Sequence, residues 1–434
     1  MKLIIENIRS FAGHHEYDIR PLTILVGENS SGKSTFLATL GAVSDSVSFP
    51  SVASFNKAPY DLGTFDTIAT YKGGRGGRAK EFSVGYETVG KTDRKSKAEE
   101  VIRVVATFGS ESGEARIRQL QLIAGPVSAS MLWEREKIVV SLSGIDGLSE
   151  VKVALQNRAQ AASGHTLSSL LQFLHFAIGF EPDTVKAPRF ESILKVQDLV
   201  NCWANSAPQA TSISPIRSEP KRTYDRMSAE YDPSGDHVPY ILARLFLQND
   251  GSKNDKLLKA LEVFGNDSGL FKKIAVKPLG KKVGDPFQIQ VGVGGQLVNL
   301  SDVGYGVSQS LPIIVESILR ATGARILLQQ PEVHLHPKAQ AALGTFFSKL
   351  VADGQRQFVI ETHSDHLIDR IRQEVASGAL SPDAVRILFF DRPNIETTVS
   401  ELSLDRHGNI LNAPNNYRSF FLEEEMKLLG RANL

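Results

Sequence analysis

The stretch GENSSGKST, Gly27 to Thr35, constrains this chain more than any other part of it. It matches G-x-x-x-x-G-K-[ST], follows the compact apolar run LTILVG, and opens KSTFLATLGAV, which reads as a helix. A strand, a Gly-rich loop and a helix in that order make a phosphate cradle, because backbone N–H groups and the helix N-terminus face the anion. In such a cradle Gly27, Asn29, Ser30, Ser31, Gly32, Lys33, Ser34 and Thr35 surround the phosphates of a nucleotide. The Lys33 ammonium reaches the β- and γ-phosphates, and the Ser34 hydroxyl is a ligand for Mg²⁺. ATP and Mg²⁺ are the expected cofactors. A Gly/Ser-rich turn with a chance lysine is the competing reading, and the flanking elements disfavour it.

A P-loop needs a second strand whose tip meets the metal from the other side. RILLQQPEVHLHP, Arg325 to Pro337, is the best candidate. Ile326 to Leu328 read as the end of a buried strand, and Gln329 and Gln330 stand at its tip. The first polar residue at such a tip holds the metal, often through water, and the next polarises the attacking water. Here both are amides, which accept hydrogen bonds but carry no charge and cannot act as a base. The metal candidates are therefore Ser34 and Gln329, and the catalytic candidates are Gln329, Gln330 and His363. His363 follows a strand within VIETHSD, where an imidazole can sense a γ-phosphate; a capping or core role is the plainer alternative. In SDVGYGVSQSLPIIVESIL, Gly304 and Gly306, then Ser308, stand before an apolar helix, an arrangement suited to close approach by an anion. A zinc site from Glu332, His334, His336 and His363 has no cysteine pair and no H-E-x-x-H spacing behind it.

The order P-loop, long insertion, Gly/Ser helix start, PEVHLHP, then THS resembles the ABC-type ATPases of the SMC, RecF and OLD (overcoming lysogenization defect) group. More closely, it resembles bacterial AAA-family ATPases whose strand tip reads E-Q-P-E-x-H-L-H-P. The likeness extends through SPIRSEPKRTY and LDRHGNILNAP. It implies that Gly27 to Thr35 are the Walker A loop, Gly304 to Gln309 the signature loop, and Gln329 and Gln330 the end of the Walker B strand. His334 to Pro337 then lie at the D-loop, and His363 is the switch histidine. GYGVSQ differs from the L-S-G-G-Q of transporters, so the register within the signature loop stays open. In such proteins two heads sandwich two ATP molecules, each signature loop contacting the γ-phosphate held by the other head. A homodimer or higher homo-oligomer through ATP-bound heads is thus implied.

Gln330 agrees with the E-Q-P-E pattern, whereas Gln329 stands where a Glu is expected. A Glu-to-Gln change there traps ATP, so the resemblance implies impaired hydrolysis, through an introduced replacement or in a natural ATP sensor. On that pattern Gln329→Glu restores turnover more than Gln330→Glu does. OLD nucleases continue into a Toprim domain with clustered acids beginning E-G-x-x-D. The residues after His363 carry no such motif, so the expectation is an ATPase that controls a separate effector, a nuclease or toxin. The implied role is the sensor or scaffold subunit of a bacterial anti-phage defence system. A RecF-like DNA-repair or chromosome-maintenance ATPase and a non-hydrolysing ATP-dependent scaffold are the alternatives.

Composition bears on the setting. The chain has 434 residues, 41% of them hydrophobic, enough for one large core or two smaller ones. A net charge of +1 supplies no global attraction to nucleic acid. YKGGRGGRAK and FKKIAVKPLGKK are basic and read either as solvated loops or as phosphate contacts, which keeps nucleic acid among the partners considered. Cys202 is the single cysteine, so no internal disulfide forms. No apolar run approaches the roughly 20 residues of a membrane helix, and MKLIIENIRSF lacks the form of a secretory signal. The expected location is the cytoplasm, away from membranes.

The expected fold is α/β: an ABC/SMC-like ATPase head with a P-loop and a mixed sheet flanked by helices, plus an antiparallel β portion and a helical insertion. Residues 1–155 form the N-terminal part, with antiparallel strands such as EEVIRVVATFG, EARIRQLQLIAG and REKIVVSLSG. Residues 156–265 read as mostly helical (LSSLLQFLHFAI, VPYILARLFLQ, DKLLKALEVFG), interrupted by SPIRSEPKRTYD. Residues 266–434 return to α/β and complete the head. There Pro337 fits a first helical position, Asp353-Gly354 a stop, and Ser364 an N-cap. Arg217, Lys221 and Arg222 either couple the helical lobe to nucleotide or pin it to the head.

Overall fold

The computed structural model describes residues 1–45, 49–50, 52–74, 76–90, 99–134, 137–144, 151–156, 209–225, 230–248, 251–282, 284–417 and 426–427. The expected helix LSSLLQFLHFAI, at 167–178, lies outside these residues. The chain opens with β1 (Lys2–Ile8), β2 (Phe11–Asp18) and β3 (Leu22–Gly27), then the P-loop and α1 (Lys33–Val43). A short helix, α2 (Phe65–Ile68), leads into β4 (Glu81–Gly90), β5 (Glu100–Glu111), β6 (Glu114–Ala124), β7 (Val127–Trp133), β8 (Lys137–Ser143) and β9 (Val151–Gln156). Next come β10 (Ala210–Ile213), α3 (Val238–Gln248), α4 (Gly251–Ser268), β11 (Lys273–Pro278), β12 (Phe287–Val293) and β13 (Gln296–Asn299). The last part holds α5 (Tyr305–Leu319), β14 (Ala324–Gln329), α6 (Pro337–Ala352), β15 (Arg356–Glu361), α7 (Asp365–Ala376), β16 (Val385–Asp391), β17 (Thr398–Leu404) and β18 (Ile410–Leu411).

These strands build an antiparallel sheet in the order β2-β1-β4-β5-β6-β7-β8-β9, a mixed sheet β10-β14-β15-β3-β16-β17-β18, and a small antiparallel sheet β11-β12-β13. In the mixed sheet β10, β14, β15, β3 and β16 run parallel, and β17 turns back antiparallel. This is the α/β architecture expected of the head, with its antiparallel portion. Among the strands that the sequence reading did not name are β2 and β10. β2 carries His14, His15 and Glu16 along a sheet edge, so its apolar alternation is weak. β10 is only four residues long, inside a segment read as helical, and it pairs with β14.

Parallel strands buried on both faces need near-continuous apolar runs. Leu25, Leu327, Val359, Leu388 and Phe390 face the core shared with α1 and the antiparallel sheet. Ile24, Ile326, Leu328, Phe358 and Ile360 face a second core with apolar residues of α3 to α7. The period-2 alternation along one strand thus feeds two cores, and the polar tips of β3, β14 and β15 emerge together at one edge. Local signals set the helices there. Pro337 is the first residue of α6, Gly354 takes φ 65° just past its end, and Ser364 Oγ accepts from the Leu367 N–H at 3.0 Å to cap α7.

One buried ion pair ties α5 to the segment before α3. The carboxylate of Glu316 meets His237 Nε2 at 2.8 Å and accepts from Arg320 Nε at 2.6 Å. Burial raises the Glu316 pKa, but the His237 hydrogen bond and the Arg320 charge outweigh it and hold the group below its ordinary value. A depressed pKa means stability that is full above the unfolded value and lost as pH falls through the folded one. Glu316→Ala should therefore lower unfolding free energy in urea by about 3–5 kcal/mol at neutral pH. The difference from the parent should shrink as pH falls below 4.5; a pH-independent difference contradicts this assignment.

Candidate functional site

The P-loop is shaped by glycines at two tight points. A Cβ on Gly27 (φ 139°) would overlap the Phe390 carbonyl of β16, and one on Gly32 (φ 109°) would stand 2.9 Å from Thr397 Oγ1. Thr397 Oγ1 donates to the Ser31 carbonyl at 2.8 Å and lies 2.7 Å from Ser10 Oγ, bracing the loop from behind. Ser31 Oγ closes the loop on the Glu28 carbonyl at 2.7 Å. No side chain caps α1, so its first N–H groups stay available to an anion.

Lys33 is 3% exposed, and its ammonium donates to the carbonyls of Gly27 (2.9 Å) and Glu28 (2.6 Å). Burial lowers its pKa against the pull of Glu361 and Glu28. Beside it lies a cavity of about 650 Å³, walled by Asn29, Ser30, Gly32, Lys33, Ser34 and Thr35 together with Gln330 and Glu361. Arg9, Tyr71, Arg78, Arg392 and Ile395 are also among the residues that line it, and none of these five was singled out from the sequence as a site residue. Arg392 Nη1 donates to the Ser30 carbonyl at 3.1 Å, and the Arg78 guanidinium lies 5.2 Å from the Tyr71 ring centre. Arg78 comes from the basic run YKGGRGGRAK, so part of that run belongs to this cavity.

β15 lies between β3 and β14, and this order decides what the amides meet. Gln329 is in register with Glu361 across β14 and β15. Its Nε2 donates to Glu361 Oε2 at 3.3 Å, and Ser34 Oγ donates to the same oxygen at 3.0 Å. The Gln330 N–H donates to the Glu361 carbonyl at 2.7 Å, with Gln330 at φ 44°. A carboxylate is therefore present at the strand tips, one strand over from where the sequence reading sought it. The signal was in VIETHSD, but the neighbouring of β15 with both other strands is not encoded locally.

His363 follows directly. Its backbone N–H donates to Glu332 Oε1 at 2.7 Å. The imidazole is exposed, yet partial desolvation and then the Lys33 charge lower its pKa, against Glu332 and Glu361. Glu332 Oε2 is buried and has no hydrogen-bond partner. His334 tilts against Tyr305, ring centres 5.7 Å apart, and His336 precedes α6 as its N-cap residue. Among the described residues no group of three or more His, Cys, Asp or Glu is placed to hold a metal ion.

The loop Gly304 to Gln309 contributes nothing to the wall of this cavity. Gly304 and Tyr305 are exposed. Gly306 packs against the His334 carbonyl, where a Cβ would come within 3.1 Å. Ser308 is 6% exposed and donates to the Tyr305 carbonyl at 3.0 Å, and Gln309 is also buried. The outward end of the loop is therefore Gly304 and Tyr305.

The middle cations divide. Lys221 pairs with Asp236 at 2.8 Å, and Arg222 pairs with Asp302 at 2.5 Å, just ahead of Gly304. Arg217 is 4% exposed and donates to the Gln330 carbonyl at 3.3 Å. Burial, opposed by Glu332, pushes its pKa down to about 10. The basic run FKKIAVKPLGKK forms β11 and the turn after it.

Residues 181–368 match a family model described as AAA ATPase domain. That span contains Gly304 to Gln309, Gln329, Gln330, Glu361 and His363, whereas Gly27 to Thr35 lie outside it. No curated protein matches the sequence. Among solved structures, the chain is similar to an SMC head bound to the C-winged helix domain of ScpA, at 13% identity over 93% of this chain and 98% of that one, TM-score 0.48. It is similar to a Smc head domain with an extended coiled coil bound to the C-terminal domain of ScpA derived from Pyrococcus furiosus, at 11% identity over 99% and 98%, TM-score 0.42. A third is the SMC head domain from Thermotoga maritima, at 12% identity over 92% and 97%, TM-score 0.38. No helix of the described residues is long and apolar enough to cross a membrane.

Proposed function

We propose that this chain is an ATP-binding head that takes Mg²⁺·ATP into the cavity beside Lys33, pairs with a second copy of itself around the nucleotide, and turns it over slowly. The observation that carries this reading is Lys33, a buried ammonium held only by two backbone carbonyls at the wall of an open cavity. Phosphate oxygens are stronger partners for it than carbonyls, because the bond becomes charge-assisted on both sides. The AAA ATPase match over residues 181–368 supports the same class. Pairing in trans is supported by Gly304 and Tyr305, which are exposed and lie outside the cavity of their own chain.

Control of a separate nuclease or toxin, as sensor or scaffold in a bacterial defence system, is the part of the reading that resemblance supplies. Copurification with such an effector would support it. DNA binding by the chain alone that weakens steeply with salt would instead favour a RecF-like repair role.

Gly304→Arg tests the pairing. Gly304 has φ −60°, and nothing lies within 4 Å of the Cβ it would gain, so the variant should fold. It should bind ATP as the parent does and fail to double its mass with Mg²⁺·ATP in light scattering. If it dimerises like the parent, this loop is not the one that meets the second head.

A further inference from the structure

We infer that Glu361, at the tip of β15, is the carboxylate that holds the Mg²⁺ of the bound nucleotide, and that Gln329 is its positioning residue. The inference rests on the ATP-binding reading above and adds a metal-holding role for a residue outside the Walker B tip. Mg²⁺ takes hard oxygen donors, usually one or two carboxylates together with phosphates and water. The Ser34 hydroxyl is one such donor, and the group facing it at 3.0 Å is Glu361. Glu361 is 6% exposed, yet it lines the cavity that Lys33 and Ser34 line. Glu361 accepts from two neutral donors and feels the Lys33 ammonium without an ion pair to it, so a divalent cation beside Ser34 would give the carboxylate a directly bound counter-charge.

The strand order explains the amides. Because β15 separates β14 from β3, a Glu at position 329 would stand in register with Glu361, next to a charge of the same sign. Two carboxylates that close repel. An amide at 329 turns that repulsion into a hydrogen bond, Gln329 Nε2 to Glu361 Oε2 at 3.3 Å, and aims the carboxylate at Ser34. The backbone is held as well, since the Glu361 carbonyl accepts from the Gln330 N–H at 2.7 Å. The tip is thus preorganised as metal sites require of their supporting shell. A Glu361 that served only to bridge Ser34 and Gln329 would have no effect on metal.

The test separates nucleotide from metal. ATP affinity is measured by calorimetry in EDTA and in Mg²⁺, and Mn²⁺ affinity by electron paramagnetic resonance with ATP present. The parent should bind ATP in EDTA and bind it more tightly with Mg²⁺. Glu361→Gln should keep the EDTA affinity but lose at least about tenfold in Mn²⁺ affinity, with a matching loss of the Mg²⁺ gain. Glu361→Asp keeps the charge and withdraws it from Ser34, so it should fall between the two and guards against a folding defect in the first variant. Gln329→Leu, which removes only the aiming bond, should weaken Mn²⁺ less than Glu361→Gln does. A Glu361→Gln or Glu361→Asp protein that binds Mn²⁺ as the parent does overturns the inference. A parent that binds no ATP even in EDTA overturns the ATP-binding reading itself, and this inference with it.

Discussion

Lys33→Ala should abolish ATP binding at millimolar nucleotide while leaving the fold intact. The ammonium supplies the positive charge that reaches the β- and γ-phosphates, and backbone donors alone cannot replace it. Removing one partner of a buried, hydrogen-bonded charge pair costs about 2–5 kcal/mol, or roughly 30-fold to several thousand-fold in affinity. In the structure the Lys33 ammonium donates to the Gly27 and Glu28 carbonyls, which belong to a loop already braced by Thr397 and Ser31. Circular dichroism should therefore match the parent while calorimetry shows no ATP heat. Unchanged ATP affinity in Lys33→Ala would mean that the cavity beside it is not the nucleotide site.

Turnover is expected to be very slow in the chain as it stands. Neither Gln329 nor Gln330 can take a proton, and the lack of a positioned base costs about 10²–10⁴-fold in rate. Glu361 is engaged on the Ser34 side. The E-Q-P-E pattern ranks Gln329→Glu above Gln330→Glu as the variant that restores hydrolysis. The geometry reverses that order: Gln330 lines the cavity, whereas the Gln329 amide is turned to Glu361. Gln330→Glu should therefore raise phosphate release by about 10²-fold or more. Gln329→Glu should raise it less, because its new charge is opposed by the carboxylate in register with it. Steady-state phosphate release from the three proteins decides between the rankings. A parent as fast as Gln330→Glu would show that another group acts as the base.

What was legible in the sequence was what chain-local chemistry encodes. The P-loop needs only a strand, glycines and a helix start in a row, and Gly27 to Lys33 supply them. Pro337, Gly354 and Ser364 mark helix ends through backbone φ and capping, and α6 and α7 begin or end beside them. The alternation of β5, β6 and β8 announced an antiparallel sheet, and α3 and α4 were read as helices. Strand order was not legible, because hydrogen bonding between β3 and β15 joins residues from opposite ends of the chain. That one pairing hid Glu361, quoted within VIETHSD but passed over for His363. Arg217 was hidden in the same way: its contact with the Gln330 carbonyl spans 113 residues of sequence. Arg9, Arg78 and Arg392 come from three separate loops and converge only once both sheets are assembled.

The most direct measurement identifies the nucleotide that the chain retains. The protein is incubated with ATP and Mg²⁺ for several hours, the nucleotide-bound species is isolated by size, and its nucleotide is resolved by ion-exchange chromatography. A head that clamps Mg²⁺·ATP with Glu361 engaged on the Ser34 side and amides at positions 329 and 330 should yield ATP, bound to a species of twice the chain's mass. Recovery of ADP, or of a monomer carrying no nucleotide, would contradict it.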